Sequence, residues 1–147
     1  MPKLARNNGS TIIPSLHYDD APAAIDWLCR AFGFEKHVVY ADDKGLVQHA
    51  QLVFGNGMIM LSSTANASAW AERIAQPREI AGRETQCPCV IVDDCAAHYA
   101  RAKAAGAEII DELEVKEYGG AGYSCRDLEG HLWWFGSYDP WAEQQPA

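Results

Sequence analysis

The chain has 147 residues, 48% of them hydrophobic and 22% charged, with a formal net charge of -8. That length supports one domain with its own core, and the composition is that of a globular protein rather than a disordered one. The acidic field repels polyanions and no Lys/Arg run offsets it, so nucleic acid is not an expected partner.

No run of about 18 apolar residues is present, so no membrane span is expected. The first residues lack the apolar stretch of a signal peptide. Five cysteines, Cys29, Cys87, Cys89, Cys95 and Cys125, are thinly spread and odd in number. They argue against a disulfide framework and for a reducing cytoplasm. Cys87-Pro88-Cys89 lacks a second Cys or His pair at zinc-finger spacing and reads as buried strand residues. Met1 to Ser10 and Trp141 to Ala147 are expected to be loosely held.

In chain order, Ile12 to Tyr18 reads as a strand, followed by Asp19-Asp20 and a helix ending at Gly33. Asp20 can cap the first helical turn, and Pro22 suits that turn because its missing N–H is not needed there. Ile25, Leu28, Cys29 and Phe32 form one apolar stripe at i, i+3, i+4, i+7. Gly33 suits the left-handed residue after a helix. Three strands follow, Lys36 to Ala41, Leu46 to Phe54 and Met58 to Ser62, joined by the turns Asp42-Asp43-Lys44-Gly45 and Gly55-Asn56-Gly57.

Thr64 to Gln86 is a connector. It predicts a short helix over Ala67 to Ala75 and a breaker-rich loop over Pro77 to Gly82. A connector this long often covers a site. The pattern then recurs: strand Cys89 to Val92, Asp93-Asp94, an Ala-rich helix with Cys95, Tyr99 and Ala102 inward, and Gly106. Strands at Glu108 to Leu113, Tyr123 to Arg126 and His131 to Tyr138 complete it. The Asp pairs and the glycines repeat roughly half the chain apart.

Each half therefore reads as βαβββ. The expected boundaries are 11–63 for the first module, 64–85 for the connector, 86–138 for the second module and 139–147 for a tail. The ending Asp127-Leu128-Glu129-Gly130-His131-Leu132-Trp133-Trp134-Phe135-Gly136 resembles the last turn and strand of the vicinal-oxygen-chelate superfamily. That group includes glyoxalases, extradiol dioxygenases, fosfomycin-resistance enzymes and bleomycin-resistance proteins. Leu128 stands where the family usually has proline. The resemblance, over about Ile12 to Tyr138, implies an α+β fold. Its strands would form an open, curled mixed sheet, a half-barrel, with the helices outside.

In metal enzymes of the group the first and fourth strands of each module supply the ligands. Those positions fall near Ile13, Met60, Cys87 and Trp134, or one residue away at Leu61, Gln86 or Trp133. Neither register supplies the His/Glu set of a catalytic divalent ion. The resemblance is therefore to the metal-free, antibiotic-binding branch: no cofactor, no metal, a small-molecule ligand with an aromatic or apolar body, and a homodimer. The rival is a lyase, isomerase or dioxygenase. It would use either an unusual metal set from His17, His49, Cys87 and Glu129 or a His general base.

Alternation places His17 on one sheet face with Ile13 and Ser15, either toward a ligand or as an ordinary strand-end histidine. His49 and Gln51 share a face opposite Ala50, Leu52 and Phe54. They would orient a ligand or sit as solvated strand residues. Met60, with Met58 beside it, and Trp134 fall on the inner face as cleft walls or core filling. Trp70 and Tyr123 lie on segments that could close over a cleft or anchor themselves, and Tyr40 is a weaker candidate. Trp27, Trp133 and Phe135 read as structural. Gly119-Gly120-Ala121-Gly122 does not open a helix as a phosphate loop would, and is expected as a flexible loop at the cleft mouth.

Overall fold

The computed structural model describes residues 4–142. Each half runs strand, helix, three strands. The first half has β1 (Ser15–Tyr18), α1 (Ala21–Phe32), β2 (Glu35–Ala41), β3 (Val47–Phe54) and β4 (Gly57–Ser63). The second has β5 (Cys89–Ile91), α2 (Cys95–Ala104), β6 (Glu108–Val115), β7 (Ala121–Arg126) and β8 (Leu132–Gly136). The α+β fold of two βαβββ halves is present. Its strands form two open four-stranded mixed sheets, ordered β1-β4-β3-β2 and β5-β8-β7-β6.

The repeated caps do the same work twice. The Asp20 carboxylate accepts from the Ala23 amide at 3.1 Å, and Asp94 accepts from Ala97 at 3.0 Å. Each satisfies a first-turn amide that the helix itself leaves unpaired. Gly33 ends α1 at φ 86, and Gly106 follows α2 at φ 94, a backbone region that disfavours a Cβ.

One core spans both halves. From α1, Ile25, Leu28 and Phe32 are buried. The Phe32 ring meets Trp133 at 5.3 Å and Phe135 at 4.7 Å between centroids, both from β8. Full burial of each such side chain contributes roughly 1.5–3 kcal/mol. Polar ties cross the same boundary. The Trp27 indole N–H donates to the Ala105 carbonyl at 2.8 Å, and the Arg101 guanidinium donates to the Cys29 and Arg30 carbonyls.

Asp127, in the turn before β8, is the strongest of these ties. Its buried carboxylate accepts from the Tyr18 hydroxyl at 2.6 Å, the Trp133 indole N–H at 3.0 Å, and the amides of Glu129 and His131. Glu129 accepts from the amides of Asp19 and Asp20 at the start of α1. Burial, then the Asp127 charge, holds the Tyr18 hydroxyl protonated well above the ordinary phenol range.

Several local expectations are corrected. The connector helix over Ala67 to Ala75 is only a 3-10 turn, Ala71–Arg73. The Ser68 hydroxyl takes the Ala71 amide, and a segment so short cannot offset helix nucleation. Cys87 and Cys89 are exposed, not buried: Cys87 precedes β5, and Cys89 is the first residue of β5, beside Trp134 on the outward face. Gly119 and Gly120 form the β6–β7 turn, but Ala121 and Gly122 belong to β7. The expectation of loose ends falls partly on residues 1–3 and 143–147, outside the described residues. Among the described residues no helix is long and apolar enough to cross a membrane.

Candidate functional site

A cavity of about 210 Å3 opens on the face of the first sheet that looks away from α1. Pairing brings its residues into rows. β1 and β4 run parallel, with Ser15 beside Met60 and His17 beside Ser62. β3 runs antiparallel to β4, with Gln51 beside Met60 and Ala50 beside Leu61, so His49 lies next along from Ser62. β1 therefore supplies Ser15 and His17, β4 supplies Met60, Leu61 and Ser62, and β3 supplies Gln48 and His49. Asn66, Ser68 and Trp70 of the connector close the rim. The alternate residues Leu16, Tyr18, Ala50, Leu52 and Ile59 point into the core.

Four of the nine residues marked in the sequence line this cavity: His17, His49, Met60 and Trp70. Trp70 is 61% exposed, so the connector presents its indole at the rim. Two more stand one contact back. Gln51 hydrogen-bonds His49 at 3.0 Å between Nε2 atoms, and the Tyr40 ring stacks beside His49 at 6.5 Å. Met58 lies on the same strand face as Met60 but outside the cavity wall.

The other two lie elsewhere. Trp134 faces outward from the second sheet, beside Cys89 and Ser124. Tyr123 is a correction: it is fully buried on the helix side of β7. Its hydroxyl bonds His98 Nδ1 at 2.6 Å, and its ring stacks on Phe135. The strand begins at Ala121, so Tyr123 is not part of a closing loop, and its alternation puts it inward. Burial raises its hydroxyl far above the usual phenol range.

Sequence reasoning missed the small polar residues of the wall. Ser62 was findable, since it shares a strand face with Met60. Asn66 and Ser68 carried no periodic signal. Gln48 alternates with His49 but falls at an irregularity in the β2–β3 register, where Tyr40 pairs His49 and Ala41 pairs Val47, and it joins the wall.

His17 stands in the cavity wall. It is 5% exposed, yet its ring has no hydrogen-bond partner among the described residues, and its backbone carbonyl accepts from His131 Nε2 at 2.8 Å. Burial, then the neighbouring His131, lowers its pKa below the ordinary imidazole value, so the ring is neutral at pH 7. His131 is itself fixed, with Nδ1 3.0 Å from the Glu84 carboxylate.

Comparison with known proteins decides the family. The model of the Glyoxalase/Bleomycin resistance protein/Dioxygenase superfamily matches residues 14–135. The chain belongs to this superfamily. Among solved structures it is similar to TioX from Micromonospora sp. ML1, with 35% identity over 87% of this chain and 98% of that one and a TM-score of 0.68. It shares the fold of UcmS2, at 15% identity over 85% and 95% of the two chains and a TM-score of 0.66. The same holds for a variant of the fosfomycin resistance protein FosX from Listeria monocytogenes, complexed with Mn(II), at 15% identity, 87% and 89% coverage and a TM-score of 0.64. No curated protein matches.

The superfamily's metal positions can now be tested on this chain's own residues. Met60 and Trp134 hold the fourth-strand positions, and neither offers the oxygen or imidazole donor of a catalytic divalent site. Ile13 has no donor at all. Cys87 turns its sulfur to the Leu132 carbonyl at 3.3 Å, and although the residue is exposed, desolvation of the thiol pushes its pKa up to about 11. The rival set fares no better, since Glu129 is held by two backbone amides. Among the described residues no three His, Cys, Asp or Glu side chains converge as a metal site requires. The residues present do not fit the superfamily's metal.

Proposed function

We propose that this chain binds a small organic molecule with an aromatic or apolar body, antibiotic-like in character, and sequesters it without a divalent metal. The observation that carries the reading is the replacement of ligand-type side chains by Met60 and Trp134, together with a cavity that Met60 and Trp70 wall with sulfur and indole. Apolar burial would supply the affinity, on the order of 25 cal/mol per Å2, and a few polar groups the orientation. We further propose a homodimer in a reducing cytoplasm, which suits five free cysteines.

The test is metal analysis of protein purified without chelators, combined with a thermal-shift screen of aromatic compounds and antibiotics. The expected outcome is no stoichiometric metal and at least one compound that raises the melting temperature. A ligand at 100 times its Kd adds about 2.7 kcal/mol to stability. Stoichiometric Ni, Zn, Mn or Fe overturns the reading.

A second reading has one observation in its favour. A neutral, unpartnered His17 in a cavity is also what a general base of a metal-free isomerase or lyase would look like. On that reading His17→Gln removes turnover and leaves ligand affinity in place.

A further inference from the structure

We infer that the part of the ligand entering the first-sheet cavity is an uncharged group that both donates and accepts hydrogen bonds, an amide or hydroxyl on an aromatic body, with His17 as its recognition residue. This rests on the binding reading above and names the chemistry of that site.

The wall carries no Lys, Arg, Asp or Glu, although the chain has 12 basic and 20 acidic residues. An ionised group placed there would lose its hydration with no counter-charge to replace it. Apart from the Trp70 indole at the rim, the polar side chains lining the cavity are hydroxyls, primary amides and imidazoles, and each can both donate and accept.

Several of these are already engaged. His49 is bonded to Gln51, the Asn66 amide donates to the Gln48 carbonyl at 3.3 Å, and the Ser68 hydroxyl accepts from the Ala71 amide. The His17 ring is not, although it is nearly buried and stands in the wall. A neutral imidazole offers one N–H and one lone pair, and neither His17 ring nitrogen is sealed from the cavity, so both are open to whatever enters it. A neutral amide or hydroxyl answers both. Burial keeps the ring uncharged, which removes any preference for an anion. Trp70 at the rim supplies an indole face for the aromatic body.

At about 210 Å3 the cavity is smaller than a pocket that encloses a whole drug-sized ligand, typically about 300–1,000 Å3. It therefore receives a head group, while the rest of the molecule extends past Trp70.

The test titrates the full-length 15N-labelled protein with benzamide and phenol as neutral probes and with benzoate and benzylamine as ionised ones of similar size. The histidine ring and tryptophan indole signals are followed. Benzamide and phenol should shift the His17 ring and Trp70 indole resonances, with affinities about tenfold or more above the ions. His17→Phe should weaken benzamide about tenfold, and His17→Gln, which can still donate and accept, should restore part of the loss. If His17→Phe does not fold, the wild-type comparison of neutral and ionised probes decides alone. Equal or tighter binding of benzoate or benzylamine overturns the inference, as does a benzamide titration that leaves the His17 ring unmoved. An antibiotic hit in the thermal screen with His17 unmoved would sink this inference and leave sequestration standing. Stoichiometric metal would sink sequestration and leave the probe titration to be judged by itself.

Discussion

Across the first sheet His17, Ser62 and His49 stand side by side on β1, β4 and β3. Across the second sheet the equivalent positions are Ile91, Gly136 and Gly122 on β5, β8 and β7. The same repeat also sets Met60 against Trp134. In the second half the indole lies flat over the two glycines. A Cβ built on Gly136 would overlap Cη2 of Trp134, and one on Gly122 would come within 2.6 Å of Cζ2. Where one half keeps three polar or imidazole side chains around a cavity, the other has Ile91 and two glycines, and a single large ring lies across the glycines. Two backbones of one plan thus carry different surfaces, because a strand position fixes where a side chain points and not what it is.

The largest expected effect comes from the tie between the halves. The first half's β3–β4 turn, Gly55-Asn56-Gly57, has no counterpart to the Asp127 carboxylate. Asp127→Ala leaves the buried Tyr18 hydroxyl and Trp133 indole N–H without their acceptor. It should cost about 3 kcal/mol or more, read from urea unfolding midpoints. A loss below about 1 kcal/mol would show that the halves do not depend on this knot.

Next in size is Gly136→Ala, which must displace the Trp134 ring and should cost about 1–3 kcal/mol with a change in tryptophan emission. Ser62→Ala, at the equivalent place in the first half, should stay within about 0.5 kcal/mol. Equal costs would remove the contrast between the two equivalent sheet faces.

A smaller effect distinguishes them by pH. His98, in the second half, donates from Nε2 to the Phe32 carbonyl and accepts at Nδ1 from the Tyr123 hydroxyl. Burial lowers its pKa, as it does for His17. Between the folded and unfolded values the unfolded chain binds more protons, so stability rises with pH. The contribution is complete above the unfolded value of about 6.5 and is lost as pH falls below it. Urea midpoints should drop from pH 7.5 to about 5, and His98→Gln should flatten that slope in part, leaving the remainder to His17. A midpoint that rises on acidification contradicts the assignment.

The smallest effect on stability belongs to Trp70→Ala. This exposed rim residue should change stability by no more than about 0.5 kcal/mol while weakening any ligand that thermal shift detects. Undiminished ligand affinity would take Trp70 out of the site.

Much of the backbone plan was legible because its signals are local. Asp20 and Asp94 before the helices, Gly33 and Gly106 after them, and the turns between strands each answer to hydrogen bonds or φ angles within a few residues. Strand alternation likewise placed His17, His49 and Met60 on one face. For Tyr123 and the Cys87-Pro88-Cys89 segment the structure differs because burial depends on where β7 and β5 begin and which face each residue then takes. Neither is written in the residues themselves.

What the sequence determined by itself was the twice-repeated βαβββ order and the two-residue period that sorts each strand's side chains to one face or the other, since both arise from short-range backbone geometry. Tertiary structure alone decided that the His17 ring would open on the cavity without a protein partner, that Asn66 and Ser68 would complete that cavity, and that Asp127 would join Tyr18 to Trp133. Those contacts link residues far apart in the chain, and their presence depends on how the two sheets and two helices pack rather than on any local preference.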